Sequence, residues 1–189
     1  MAITWAIGAG AGLAIMAGLR SFVLLAVYML FARLGWVWGF SFQDTPMDFL
    51  LSNAAAVVLL LAVALEIFIT RLPAMARIDL VLRLPVAVLV GALVTAGALA
   101  GSTSSSLYLV GLPVGALLAL LGVYVYQGLV LTGGGRDPGP ALDVALIIVS
   151  AVTMLAPPVG YAVLLLGVWL ALRVRRLKRM KYKGLRLLA

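Results

Sequence analysis

Long runs of residues without a single charged side chain set the terms for this chain. Ala54–Ala64 is apolar at every position, and apolar blocks of comparable or greater length recur from one end of the sequence to the other. A block of about 20 apolar residues matches a hydrocarbon core of about 30 Å, whereas a helix of a soluble domain shows only an apolar stripe. Inside a bilayer every backbone amide must be paired within the protein, which leaves helices or a closed barrel. A barrel strand alternates apolar and polar residues over about 10 positions, and Ala54–Ala64 does not. The expectation is an all-α, polytopic transmembrane helix bundle. With 65% hydrophobic and only 11% charged residues, against about a quarter charged in soluble domains, the chain lacks the polar material to cover a water-facing globule.

Cysteine and histidine are absent. Disulfides, thiolate or imidazole metal sites and histidine acid-base chemistry are therefore closed to it. No catalytic residue, metal or cofactor is expected, and the protein is not read as an enzyme. The first residues lack a basic segment and a clear cleavage site, so the first block is expected to be a retained helix.

The blocks predict spans at about 4–32, 49–70, 84–100, 107–132, 141–156 and 159–172, followed by a basic tail over 173–189; residues 1–172 form the transmembrane domain. Between the first two lie Trp36, Trp38, Phe40 and Phe42, as expected where lipid meets water. Ala141–Leu172 would be roughly 48 Å long as one helix. Pro157 and Pro158 stand at its centre and disfavour a continuing helix, so it is divided in two.

Six spans place Arg71, Arg77, Arg83, Arg136 and the eight tail basics on one side and Arg33 on the other. That bias predicts a bacterial inner or plasma membrane protein with both termini cytoplasmic. Six spans also allow two inverted three-helix repeats, with Gly18-Leu19 echoed by Gly128-Leu129 and Pro73 by Pro157.

Arg20 is the residue that most needs explaining, because it lies deep in the first apolar block. A charge at that depth costs about 2.5–3.5 kcal/mol on insertion scales and calls for a partner. Glu66, near the end of the second block, is the expected one. The two either line a polar site for an anionic group or form a structural ion pair that fixes helix packing. Gln127 on the fourth span is the nearest polar counterpart of Arg20 and completes the candidate binding set; an interhelical hydrogen bond explains it equally well. Ser52, Asn53 and Asp143 are expected to be helix-start groups. Gly8, Gly10 and Gly12 are read as close helix packing, and Gly133–Gly135 as a turn.

Arg173, Arg175, Arg176, Lys178, Arg179, Lys181, Lys183 and Arg186 stand next to the membrane without an intervening acid. They are expected to contact anionic lipid, with Val174, Leu177, Leu185 and Leu188 as the apolar edge of a helix lying on the headgroups. Membrane lipids, a homo-oligomer or a larger membrane complex are the expected partners, and nucleic acid is not.

Ala17-Gly18-Leu19-Arg20-Ser21-Phe22, then Leu65-Glu66 followed by Arg71, Pro73 and Asp79, resembles an uncharacterised family of small bacterial membrane proteins, a domain of unknown function. The resemblance covers about the first four spans and implies no activity. Thr70 stands where the family pattern has an acid and Val130 where it has an arginine, whereas Arg20 and Glu66 match the pattern in identity. Two functions remain in view: a small transporter, channel or lipid-handling protein with its site at Arg20 and Glu66, or a non-catalytic accessory or scaffolding subunit. An intramembrane lipid enzyme would need a convergence of acids that the sequence does not supply.

Overall fold

The computed structural model describes residues 2–37, 48–71, 76–100, 107–132 and 139–185. Among these the chain is all-α, with seven helices: α1 (Ala2–Leu19), α2 (Ser21–Arg33), α3 (Asn53–Arg71), α4 (Ala76–Ala100), α5 (Tyr108–Thr132), α6 (Pro140–Leu155) and α7 (Val159–Leu185). A short 3-10 turn, Asp48–Leu51, precedes α3. Three helices hold segments long and apolar enough to cross a membrane, namely Asn53–Thr70, Val81–Ala100 and Tyr108–Val130; Ile3–Leu19, Ser21–Arg33 and Pro140–Leu155 are shorter apolar helices.

The first expected span, 4–32, is not one helix. Arg20 adopts φ −148° and ψ 99°, an extended conformation that separates α1 from α2. Nothing local demands this, since neither proline nor a left-handed glycine stands there; the cause is tertiary and lies in the side chains that receive the freed backbone groups. By contrast, the division at Pro157-Pro158 follows the sequence: α6 ends at Leu155 and α7 begins at Val159. Pro140 occupies the first turn of α6 after Gly139 at φ +72°, where its missing N–H costs nothing.

The core is built around α1, whose Ala9, Leu13, Ala14 and Ala17 are fully buried. It packs on α4, α5 and α7, while α2 packs on α3 and α6 and α4 pairs extensively with α5. Small residues permit these approaches, as expected where lipid supplies no hydrophobic drive between helices. A Cβ on Gly12 would meet the Gly160 backbone of α7 at 2.7 Å, and one on Gly91 would meet Ala119 of α5 at 2.5 Å. Gly8, Gly10 and Gly12 face Tyr161, Thr95 with Ala98, and Gly160 respectively, which is the close packing expected of them. Gly133–Gly135 and Trp38, Phe40 and Phe42 lie outside the described residues.

α3 is peripheral, with only 6% of its apolar window buried. α7 continues past Leu172 without a break. Val174 is buried and lies against Gly128, so the basic segment begins as the end of α7 and not as a separate helix lying on the surface.

Candidate functional site

Breaking a helix inside a bundle strands backbone groups on both sides of the break. Inside a membrane these must find partners in the protein. Two bonds bridge the break, from Arg20 N–H to the Met16 carbonyl at 3.0 Å and from Leu24 N–H to the Arg20 carbonyl at 3.2 Å. The amides of Ser21, Phe22 and Val23 and the carbonyls of Ala17, Gly18 and Leu19 lose their helical partners.

Glu66 of α3 receives all three amides: Ser21 N–H donates to Oε1 at 3.0 Å, and Phe22 and Val23 N–H donate to Oε2 at 3.1 and 3.2 Å. The carboxylate thus caps α2 from another helix, at the end where the helix dipole favours negative charge. On the other side of the break, Arg83 of α4 donates from Nη1 to the Leu19 carbonyl at 2.7 Å. It places a cation at the negative end of α1. Ser21 Oγ donates to the Ala17 carbonyl at 2.8 Å.

Arg20 itself turns to α6, its Nε donating to Asp143 Oδ1 at 2.7 Å. Arg20 is 1% exposed and Arg83 5% exposed, with the Asp143 side chain at 15%. The Arg83 guanidinium carbon lies 3.7 Å from the centre of the Tyr126 ring of α5, and that of Arg20 5.9 Å from it, both within cation–π range. Arg83 and Arg20 are the cations whose charge acts on the Glu66 carboxylate.

The expected pair of Arg20 with Glu66 is thus resolved differently. The two residues share one centre, but Glu66 serves the backbone of α2 and Arg20 pairs with Asp143. The expected role of Asp143 as a helix-start group holds in position, since it lies in the first turn of α6, and its bond to Arg20 adds a second role. From α5 it is Tyr126 that meets the arginines; Gln127, the expected counterpart, is its half-buried neighbour. Successive helical residues point about 100° apart, which explains why one of the two faces the centre.

Arg83 does not stand out in the sequence because it follows Arg71 and Arg77 and shares their side of the charge bias. Its setting, between Leu82 and Leu84 and two residues before Pro85, is the signal that it belongs to the apolar stretch. Ser52 behaves as expected, its Oγ accepting from Ala55 N–H at 3.1 Å. Asn53 accepts instead from Arg33 Nη2 at 3.2 Å, which also donates to the Leu51 carbonyl at 2.7 Å. On α7, Arg173, Arg175 and Arg176 are exposed, and Arg173 lies 5.5 Å over the Trp169 ring. Lys178, Arg179, Lys181 and Lys183 continue the helix, their side chains outside the described set; Arg186 lies outside the described residues.

The sequence profile of the Domain of unknown function (DUF4126) matches residues 7–177. The chain belongs to this family. The match extends from the first turns of α1 through the exposed arginines of α7, so the broken helix and all the residues that cap it lie inside the family's domain. No curated protein and no solved structure matches the chain.

Proposed function

We propose that this DUF4126 chain is a multi-pass protein of the bacterial inner or plasma membrane that handles an anionic solute or lipid headgroup, as a small transporter, channel or lipid-handling protein, and that it is not an enzyme. The observation that carries this reading is the helix broken at Arg20, its two ends capped by ionisable side chains from α3 and α4. Discontinuous helices whose N-terminal ends point into a protein-lined site are a recurrent device for binding anions within membranes. Three amides, two guanidinium groups and a phenol ring meet here, and Glu66 holds the place an anionic group would take. α5, which carries the expected echo of that block, runs unbroken through Gly128. The proposed site accordingly rests on a single asymmetric break and needs no inverted repeat.

The competing reading is an accessory or scaffolding subunit, alone as a homo-oligomer or within a larger complex. It draws on the pairing of Arg20 with Asp143 and of Glu66 with α2, because a centre that neutralises itself also suits pure architecture. Reconstitution separates the two. Proteoliposomes holding wild type, Glu66→Gln or Arg83→Met are assayed for flux of carboxylate and phosphate anions and for lipid translocation, after each variant is shown to be folded. Transport by wild type that either folded variant abolishes supports the site; no transport by wild type across that panel favours the scaffold.

A further inference from the structure

The directions of the helices around Arg20 carry a consequence for how the first apolar block meets the membrane. α1 runs antiparallel to α4, since Leu19 meets Arg83 and Gly10 meets Thr95 and Ala98. It runs antiparallel to α6 as well, with Arg20 at Asp143 and Met16 at Ser150. α2 runs antiparallel to α3, because residues 21–23 meet Glu66 while Arg33 reaches Leu51 and Asn53. α3 enters the polar centre, α4 leaves it, and α2 leaves it too, packing along α6 and α4 as it goes.

Length agrees with direction. α1, with 18 residues, is about 27 Å long, and α2, with 13 residues, is about 20 Å long. End to end they would overshoot a core of about 30 Å.

We infer that α1 and α2 form a re-entrant hairpin with Arg20 at its tip, so that the start of α1 lies on the same face as Arg33 and opposite the basic segments. Five helices, α3 to α7, then cross the membrane. The end of α3, the start of α4, the end of α5, the start of α6 and the end of α7 share one face, with Arg71, Arg77 and the basic residues of α7, and Arg33 stands on the other. The bias toward a cytoplasmic basic face is kept in full, and only the start of α1 changes side relative to a continuous first span. Re-entrant backbone is tolerated at this depth because its stranded groups are satisfied by protein, which is the task of Glu66 and Arg83. Resting on the proposed anion-handling role, the hairpin further assigns the side of entry: its tip lies towards the basic face, so the anion reaches Arg20 from there.

The chain has no cysteine, so single reporters are unambiguous. Ile3→Cys, Leu34→Cys and Leu177→Cys, all at exposed positions, are treated with a membrane-impermeant maleimide in right-side-out and inverted vesicles. The hairpin requires Ile3→Cys and Leu34→Cys to label from one face and Leu177→Cys from the other; Ile3→Cys labelling together with Leu177→Cys overturns it. For the side of entry, Ser21→Cys is treated with a small anionic thiosulfonate from each face. Modification from the Leu177 face alone is expected, and modification from the Leu34 face, or from neither, overturns that assignment while leaving the labelling result for the hairpin to stand by itself. The flux measurement addresses anion handling separately from both.

Discussion

Among the described residues, Arg20, Glu66, Arg83 and Asp143 meet at the centre of the bundle, and their substitutions should differ in kind. Asp143→Asn leaves the Arg20 guanidinium in place and removes the carboxylate that its Nε meets, for an expected loss of about 1–3 kcal/mol. The double variant Arg20→Met/Asp143→Leu removes both charges and is expected to cost less than the sum of the singles. Reversible unfolding in mild detergent, run as a double-mutant cycle, measures this coupling; additive costs would mean the pair contributes nothing as a pair. Glu66→Gln tests a different bond. The amide keeps an acceptor but loses the charge that favours the N-terminus of α2, for an expected loss of about 1–2 kcal/mol. The discriminating readout is hydrogen exchange: protection should fall at Ser21, Phe22 and Val23 and hold on α5. Unchanged protection at those three amides would show that Glu66 does not cap the helix.

At the scale of helices, backbone approach rather than side-chain volume limits what the bundle accepts. A Cβ on Gly18 of α1 would lie 2.5 Å from Val123 N and 2.6 Å from Gly122 Cα, and backbone cannot move aside without separating α1 from α5. The three atoms nearest a Cβ on Gly8 all belong to the Tyr161 ring, a side chain that can shift more readily than backbone. Gly18→Ala is therefore expected to destabilise by about 3 kcal/mol, at or above the usual range for overpacking, and Gly8→Ala by about 1 kcal/mol; thermal midpoints in detergent check the order, and equal shifts would refute the argument. This packing was legible in the sequence, as was the α6–α7 division, because glycines and consecutive prolines act through local chemistry. The break at Arg20 was not. Ala17-Gly18-Leu19-Arg20-Ser21-Phe22 reads as continuous helix, and the groups that make a break tolerable arrive from Glu66 and Arg83, 45 and 64 residues away from the atoms they cap. Arg20 still announced itself, since a deeply placed charge requires partners. Which partners it takes depends on the approach of α3, α4 and α6, and no local spacing encodes that.

At the scale of the whole molecule, two groups of charge stand apart, the centre formed by Arg20, Glu66, Arg83 and Asp143 and the basic end of α7. The unbroken run of α7 from Val159 to Leu185 carries its cations out of the apolar region along the helix axis. Trp169 with Arg173 over its ring marks the boundary, an amphipathic ring and a long cationic stem being suited to the headgroup layer. Basic residues close to an anionic surface each contribute about 1 kcal/mol. Replacing Arg175, Arg176, Lys178 and Arg179 by glutamine should then lower the preference for anionic over zwitterionic lipid by up to roughly a thousandfold. Lipid retained by the protein in mixed bilayers, followed with spin-labelled phosphatidylglycerol, measures the preference, and raising the salt concentration should weaken it more in wild type than in the variant, which keeps Arg173, Lys181, Lys183 and Arg186. The flux of the reconstituted protein separates the two sets of charges: the α7 variant should retain transport in zwitterionic bilayers, because its cations lie away from the Arg20 centre, whereas Arg83→Met should lose transport and keep the lipid preference. A wild type indifferent to lipid charge would leave the basic end of α7 with a single task, holding the bundle in its orientation across the membrane.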